Sequence, residues 1–122
     1  MAEYKTHIEE KTGVTFIEIT GQVNLDEQLA FIQSREFGER TLRVITDLRN
    51  ASLAGLPRGV LAKLVRRSKQ VSKPGIRGAF VFSRGDDFSK AKLVLAQMEV
   101  VGYEGMFKMF TDMEKAISWV RE

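Results

Sequence analysis

Apolar and polar positions along the chain follow two periods, and the switches between them outline its elements. Tyr4 to Glu10 and Gly13 to Thr20 are extended runs rich in β-branched residues, joined at Lys11-Thr12-Gly13, a pattern that predicts a β-hairpin. In the second run Val14, Phe16, Ile17 and Ile19 place apolar groups on both faces, as an interior strand requires. Asn24 predicts a helix cap, with Asp26 and Glu27 at the positive end of the dipole, Leu29, Ile32 and Phe37 as its apolar stripe, and an end near Gly38. Leu42 to Leu48 reads as a third strand. The segment from Pro57 to Val71 reads as a helix, because proline suits its first turn and Val60, Leu61, Leu64, Val65 and Ser68 share one face.

After Pro74-Gly75, Ile76 to Ser83 is a fourth strand. Phe88, Leu93, Val94, Met98 and Val101 mark a helix that stops at Gly102, and Met106 to Phe110 is the last strand. Thr111-Asp112-Met113-Glu114 has the spacing of a capping box, and Ala116, Ile117, Trp119 and Val120 supply the buried stripe of a closing helix. The order is β-β-α-β-α-β-α-β-α, a hairpin followed by four strand–helix units. Short alternation of this kind predicts an α/β fold, a mostly parallel sheet with right-handed crossovers flanked by helices.

With 122 residues and 43% hydrophobic content, the expectation is a single domain over 1–122 with a core that needs no covalent staples. There are no cysteines, which excludes disulfides and thiolate metal sites and fits a reducing compartment. No run is long and apolar enough to span a membrane, and the N-terminus lacks the apolar core of a signal peptide, so the expected location is the cytoplasm.

The net charge of +3 hides an uneven distribution. Nine bases and no acid lie between Leu48 and Gly85, while the ten bases elsewhere face all sixteen acids, a net of −6.

The strand ending in Asp47-Leu48-Arg49-Asn50 before a loop and a helix, set behind a hairpin and a first helix, resembles STAS domains of the anti-sigma-factor antagonist type. The closing stretch, from Phe107 through Thr111 to Ala116 and Trp119, resembles the ending of a functionally uncharacterised SpoIIAA-like group. The same ending has a plain structural account: a cap, a spacer and a tryptophan packed on the sheet. In switch-type members an Asp-Ser-Ser-Gly stretch carries a phosphorylated serine at a helix start. Here the corresponding residues are Gly55-Leu56-Pro57-Arg58-Gly59, which hold no hydroxyl, and Ser52 lies upstream. The phosphorylation switch is therefore not expected. The related fold of CRAL-TRIO lipid carriers implies an alternative, a small apolar or amphipathic ligand, although no motif residue supports it.

Candidate chemistry is sparse. His7 is a lone imidazole on a strand, and Asp86-Asp87, between Gly85 and Phe88, reads better as a turn and cap than as a cation site. Neither a metal site nor a catalytic constellation is expected, so the chain is read as not an enzyme and as needing no cofactor. Gly55 and Gly59 lack the Lys-Ser/Thr of a P-loop and do not fit Gly-x-Gly-x-x-Gly. Free N–H groups at that helix start, beside Arg49 and Arg58, could still hold an anion.

Lys63, Arg66, Arg67, Gln70 and Lys73 lie opposite the apolar stripe of their helix. Such a face is usually solvated; as a functional surface it would dock an acidic protein or anionic headgroups. Nucleic acid is disfavoured, because no aromatics are interleaved for stacking. Met98, Met106, Met109 and Met113 read as core fillers that could also line an apolar pocket. The expectation is a regulatory or protein-interaction module whose binding residues are Arg49, Ser52, Gly55, Pro57, Arg58, Lys63, Arg66 and Arg67.

Overall fold

The structure, a computed structural model, describes residues 2–24, 26–27, 30, 43–53, 77–83 and 106–122. Within them lie strands β1 (Glu3–Glu9), β2 (Val14–Gln22), β3 (Arg43–Ser52), β4 (Arg77–Val81) and β5 (Met106–Phe110), followed by helix α1 (Met113–Arg121). The strands form one sheet in the order β1-β2-β3-β4-β5. β1 runs antiparallel to β2, and every later neighbour is parallel. Parallel neighbours require crossovers, so the segments between β2, β3, β4 and β5 must return to the starting end of the sheet each time.

The hairpin closes where the glycine predicts it. Gly13 has φ 71°, a left-handed conformation that side chains resist, and its N–H donates to the Glu9 carbonyl at 2.9 Å. β2 is interior, as its two-sided apolar pattern predicted, and it separates two hydrophobic clusters. One holds Ile17, Ile19, Val23, Val44, Leu48, Leu53 and Phe82, with Phe80, Phe107 and Met109 packed at its margin. The other holds Val14, Ile45, Ala79, Val81, Ala116 and Val120, with Met113 and Trp119 beside them. Neighbours such as Val44 and Ile45 fall in different clusters because successive strand side chains point to opposite faces. Met109 and Met113 are likewise divided between the clusters, so these two methionines do not share one patch.

At Gly78 the backbone is approached closely. A Cβ there would sit 2.8 Å from Cδ1 and Cε1 of Phe107, its register partner on β5, and 3.3 Å from Val44. The Phe107 ring occupies the room a side chain would take and stacks on Phe80 at 5.8 Å.

Helix α1 packs on the second cluster through Ala116 and Val120, both fully buried. Burying a valine of this kind contributes about 1.5–3 kcal/mol. Its orientation is set by Trp119, which meets Phe110 at 5.8 Å and lies under the Arg77 guanidinium at 4.8 Å. Arg77 NH1 also donates to the Trp119 carbonyl at 2.9 Å, tying the helix end to the start of β4. The cap differs from the expected box by one residue: the Asp112 carboxylate, not the Thr111 hydroxyl, accepts from the Glu114 and Lys115 N–H groups. A carboxylate is the stronger acceptor and also answers the positive end of the helix dipole.

Three further boundaries move. β2 continues to Gln22, β4 ends at Val81, and β3 continues four residues past Leu48. At Asn24 the expected cap is present, its Oδ1 accepting from Asp26 N–H at 2.9 Å and Glu27 N–H at 3.3 Å. The Glu27 charge reaches Tyr4 on β1; with burial as the larger cause, it pushes the Tyr4 hydroxyl up to about 12. The expected helices over 57–71 and 88–101 lie outside the described residues.

Candidate interaction site

The C-terminal rim of the parallel strands holds the described part of the expected binding surface. Glu18 pairs with Asp47 and Thr20 with Asn50, so two steps along β2 match three along β3, a bulge that locally re-aims side chains. Beyond it Gly21 pairs with Ala51 and Gln22 with Ser52. This corrects the expected loop. Arg49 to Ser52 are strand residues, because the longer β2 supplies hydrogen-bonding partners for a stretch whose composition suggests a turn.

At the bulge, Asp47 and Arg49 form a fork. Asp47 Oδ1 accepts from Arg49 Nε at 2.9 Å and from the Arg49 backbone N–H at 3.1 Å, and Oδ2 accepts from NH2 at 2.9 Å. Partial burial alone would push the Asp47 carboxyl up. The side-chain and backbone hydrogen bonds from Arg49, with the guanidinium's charge, outweigh that effect and hold it below the usual carboxylate range. The same side-chain bond raises Arg49, against a smaller desolvation and with help from the Asp47 and Glu18 charges. Arg49 is thus an oriented, exposed donor whose charge is locally balanced. The guanidinium N–H groups outside the fork are what it offers to a partner.

The rim is tied together across strands. Ser83 Oγ donates to the Arg49 carbonyl at 3.2 Å, Val23 N–H to the Ser52 carbonyl at 2.9 Å, and Phe82 N–H to the Phe110 carbonyl at 2.9 Å. Of the expected binding residues, Arg49 and half-buried Ser52 share β3, with the Arg49 side chain pointing to solvent. Gly55, Pro57, Arg58, Lys63, Arg66 and Arg67 lie outside the described residues, as do Asp86 and Asp87. His7 is exposed on β1, 6.4 Å from the Phe16 ring, and among the described residues no three His, Asp or Glu side chains are grouped to hold a metal ion.

Sequence reasoning assigned no role to Asp47 or Ser83. The Asp-x-Arg spacing was a usable signal, since strand residues two apart share a face. The Ser83 contact had none, because it joins positions 34 residues apart.

Over its whole length the chain superimposes on an anti-sigma factor antagonist from Mycobacterium paratuberculosis, with a TM-score of 0.63, 12% identity and 96% of that chain covered. An uncharacterised protein with a SpoIIAA-like fold from Shewanella loihica gives 0.57 at 17% identity, covering 98% of this chain and 93% of that one. This is a SpoIIAA-like fold. No protein-family model and no curated protein matches the sequence. In this SpoIIAA-like chain the rim around Arg49 lies toward the carboxyl ends of the parallel strands. Among the described residues no helix is long and apolar enough to cross a membrane.

Proposed function

We propose that this chain is a non-enzymatic regulatory or protein-interaction module, and that it engages an acidic surface of a partner protein without a phosphorylated switch serine. The observation that carries this reading is the Asp47–Arg49 fork. It holds an exposed guanidinium in a set orientation at the strand-end rim, where the segment free of acidic residues begins. The likeness in fold to an anti-sigma factor antagonist supports a protein as the partner. The residues assigned to binding are Arg49, Ser52, Gly55, Pro57, Arg58, Lys63, Arg66 and Arg67, and they act by charge complementarity, so binding weakens as salt rises above about 0.15 M.

The test is a K63E/R66E/R67E variant, with R49A beside it. The three charge reversals each change stability by no more than about 0.5 kcal/mol, as the solvated face read from the sequence implies, and R49A costs about 1 kcal/mol through loss of the fork. Both variants fold and lose affinity for the partner isolated with the wild type. A folded triple variant that binds the purified partner as the wild type does refutes the reading. Incubation with an anti-sigma-type kinase leaves the mass unchanged; phosphate on Ser52 would restore the switch.

One observation favours a second reading, a carrier of a small apolar or amphipathic ligand. Phe80 and Phe107 stack at the margin of the first cluster and both stay partly exposed, with Met109 in the same cluster margin. Native mass spectrometry separates the two readings: a co-purifying ligand favours the carrier, and a clean apo mass the interaction module.

A further inference from the structure

One edge of the sheet is formed by β1, which pairs with β2 on one side and with no strand among the described residues on the other. Glu3, Lys5, His7, Ile8 and Glu9 on it are exposed, and Ile8, at 44%, is the large hydrophobic side chain left most open among the described residues. A strand edge of seven residues is a ready template for another strand, and natural proteins blunt one with charged side chains, proline or a bulge; β1 carries Glu3, Lys5 and Glu9, charges that oppose pairing except in a register that sets unlike signs together. β1 has no proline, and its register with β2 runs without a shift from Glu3 to Glu9.

We propose that β1 is a self-association edge, at which two copies of this chain pair antiparallel about a two-fold axis at His7 to join their sheets. The charge pattern selects that register. A two-fold axis perpendicular to the sheet keeps each face continuous, so odd positions oppose odd ones and even positions oppose even ones. Centring on Lys5 opposes two lysines, and centring on Thr6 opposes Glu3 with the partner's Glu9. Centring on Tyr4 or on Ile8 avoids both clashes but leaves a shorter overlap. Centring on His7 opposes the two His7 imidazoles on the axis and sets Lys5 against the partner's Glu9 and Glu9 against the partner's Lys5. Ile8 then lies against the partner's Thr6, which covers the exposed apolar group. Directly opposed charges of opposite sign favour a strand pair, and like charges disfavour it.

Sedimentation equilibrium of the purified full chain tests this. The wild type shows a concentration-dependent monomer–dimer equilibrium. K5E and E9K each set two like-charge pairs across the axis and weaken the dimer roughly tenfold or more. Mixing the two single variants restores it, because each K5E chain then meets an E9K chain with both pairs of opposite sign. The K5E/E9K double variant also dimerises by itself. Circular dichroism and melting of each variant check that the fold is intact, as expected for exposed side chains.

A wild type that stays monomeric at high micromolar concentration overturns the proposal. So does a dimer indifferent to both single variants, or single variants whose mixture stays monomeric.

Discussion

Replacing Asp47 with asparagine keeps the shape of the side chain and removes the charge on which the rim's fork depends. The carboxylate takes three hydrogen bonds from Arg49, at 2.9, 2.9 and 3.1 Å. Asparagine retains one acceptor oxygen and turns an amide N–H₂ toward a guanidinium donor. Hydrogen bonds to charged groups contribute about 1.5–3 kcal/mol when shielded, and exposed ion pairs about 0–1 kcal/mol. Asp47 is 14% exposed and Arg49 45%, so solvent screens the pair on one side, and the expected loss is about 1 kcal/mol. For a chain of this size that lowers the melting temperature by roughly 3–6 °C.

Acid removes the difference. The folded carboxyl titrates below its unfolded counterpart, so its contribution is complete above the unfolded value and is lost as pH falls through the folded one. Thermal melts followed by circular dichroism show the gap between wild type and D47N constant from about pH 7 to about pH 5 and closing below about pH 4. A double-mutant cycle with R49M gives a coupling of about 0.5–1 kcal/mol. Equal melting at neutral pH, or a gap that persists unchanged near pH 3, would refute the argument that the fork is held by charge.

Gly78→Ala forces a Cβ to within 2.8 Å of the Phe107 ring, and its cost, measured by urea denaturation, is about 1–3 kcal/mol; F107L in the same chain recovers part of it. The cap assignment separates adjacent residues: D112A lowers stability by about 1 kcal/mol and T111A leaves it nearly unchanged, so the reverse order in the melts would return the cap to Thr111.

The elements whose residues carry their own local reason were legible in the chain. Gly13 between two β-branched runs foretold the hairpin, the two-sided apolar run from Val14 to Ile19 foretold an interior strand, and β5 falls on the expected residues Met106–Phe110. Asn24 caps as expected, since a short polar side chain ahead of two acids bonds N–H groups only two and three residues away. The absence of cysteine and the run of nine bases without an acid are properties of composition and needed no coordinates.

Tertiary pairing decided the rest. Arg49-Asn50-Ala51-Ser52 has the composition of a loop and becomes strand because Thr20, Gly21 and Gln22 lie beside it, across a bulge that neither segment encodes alone. Asp47 and Arg49, two apart on one strand, share a face and were legible as a pair, whereas Ser83 joined the rim only because β4 packs next to β3. Local hydrogen bonds and side-chain period are written in consecutive residues. Register, bulges and the contacts that complete a rim depend on which distant strand supplies the partner, and that is settled only when the sheet forms.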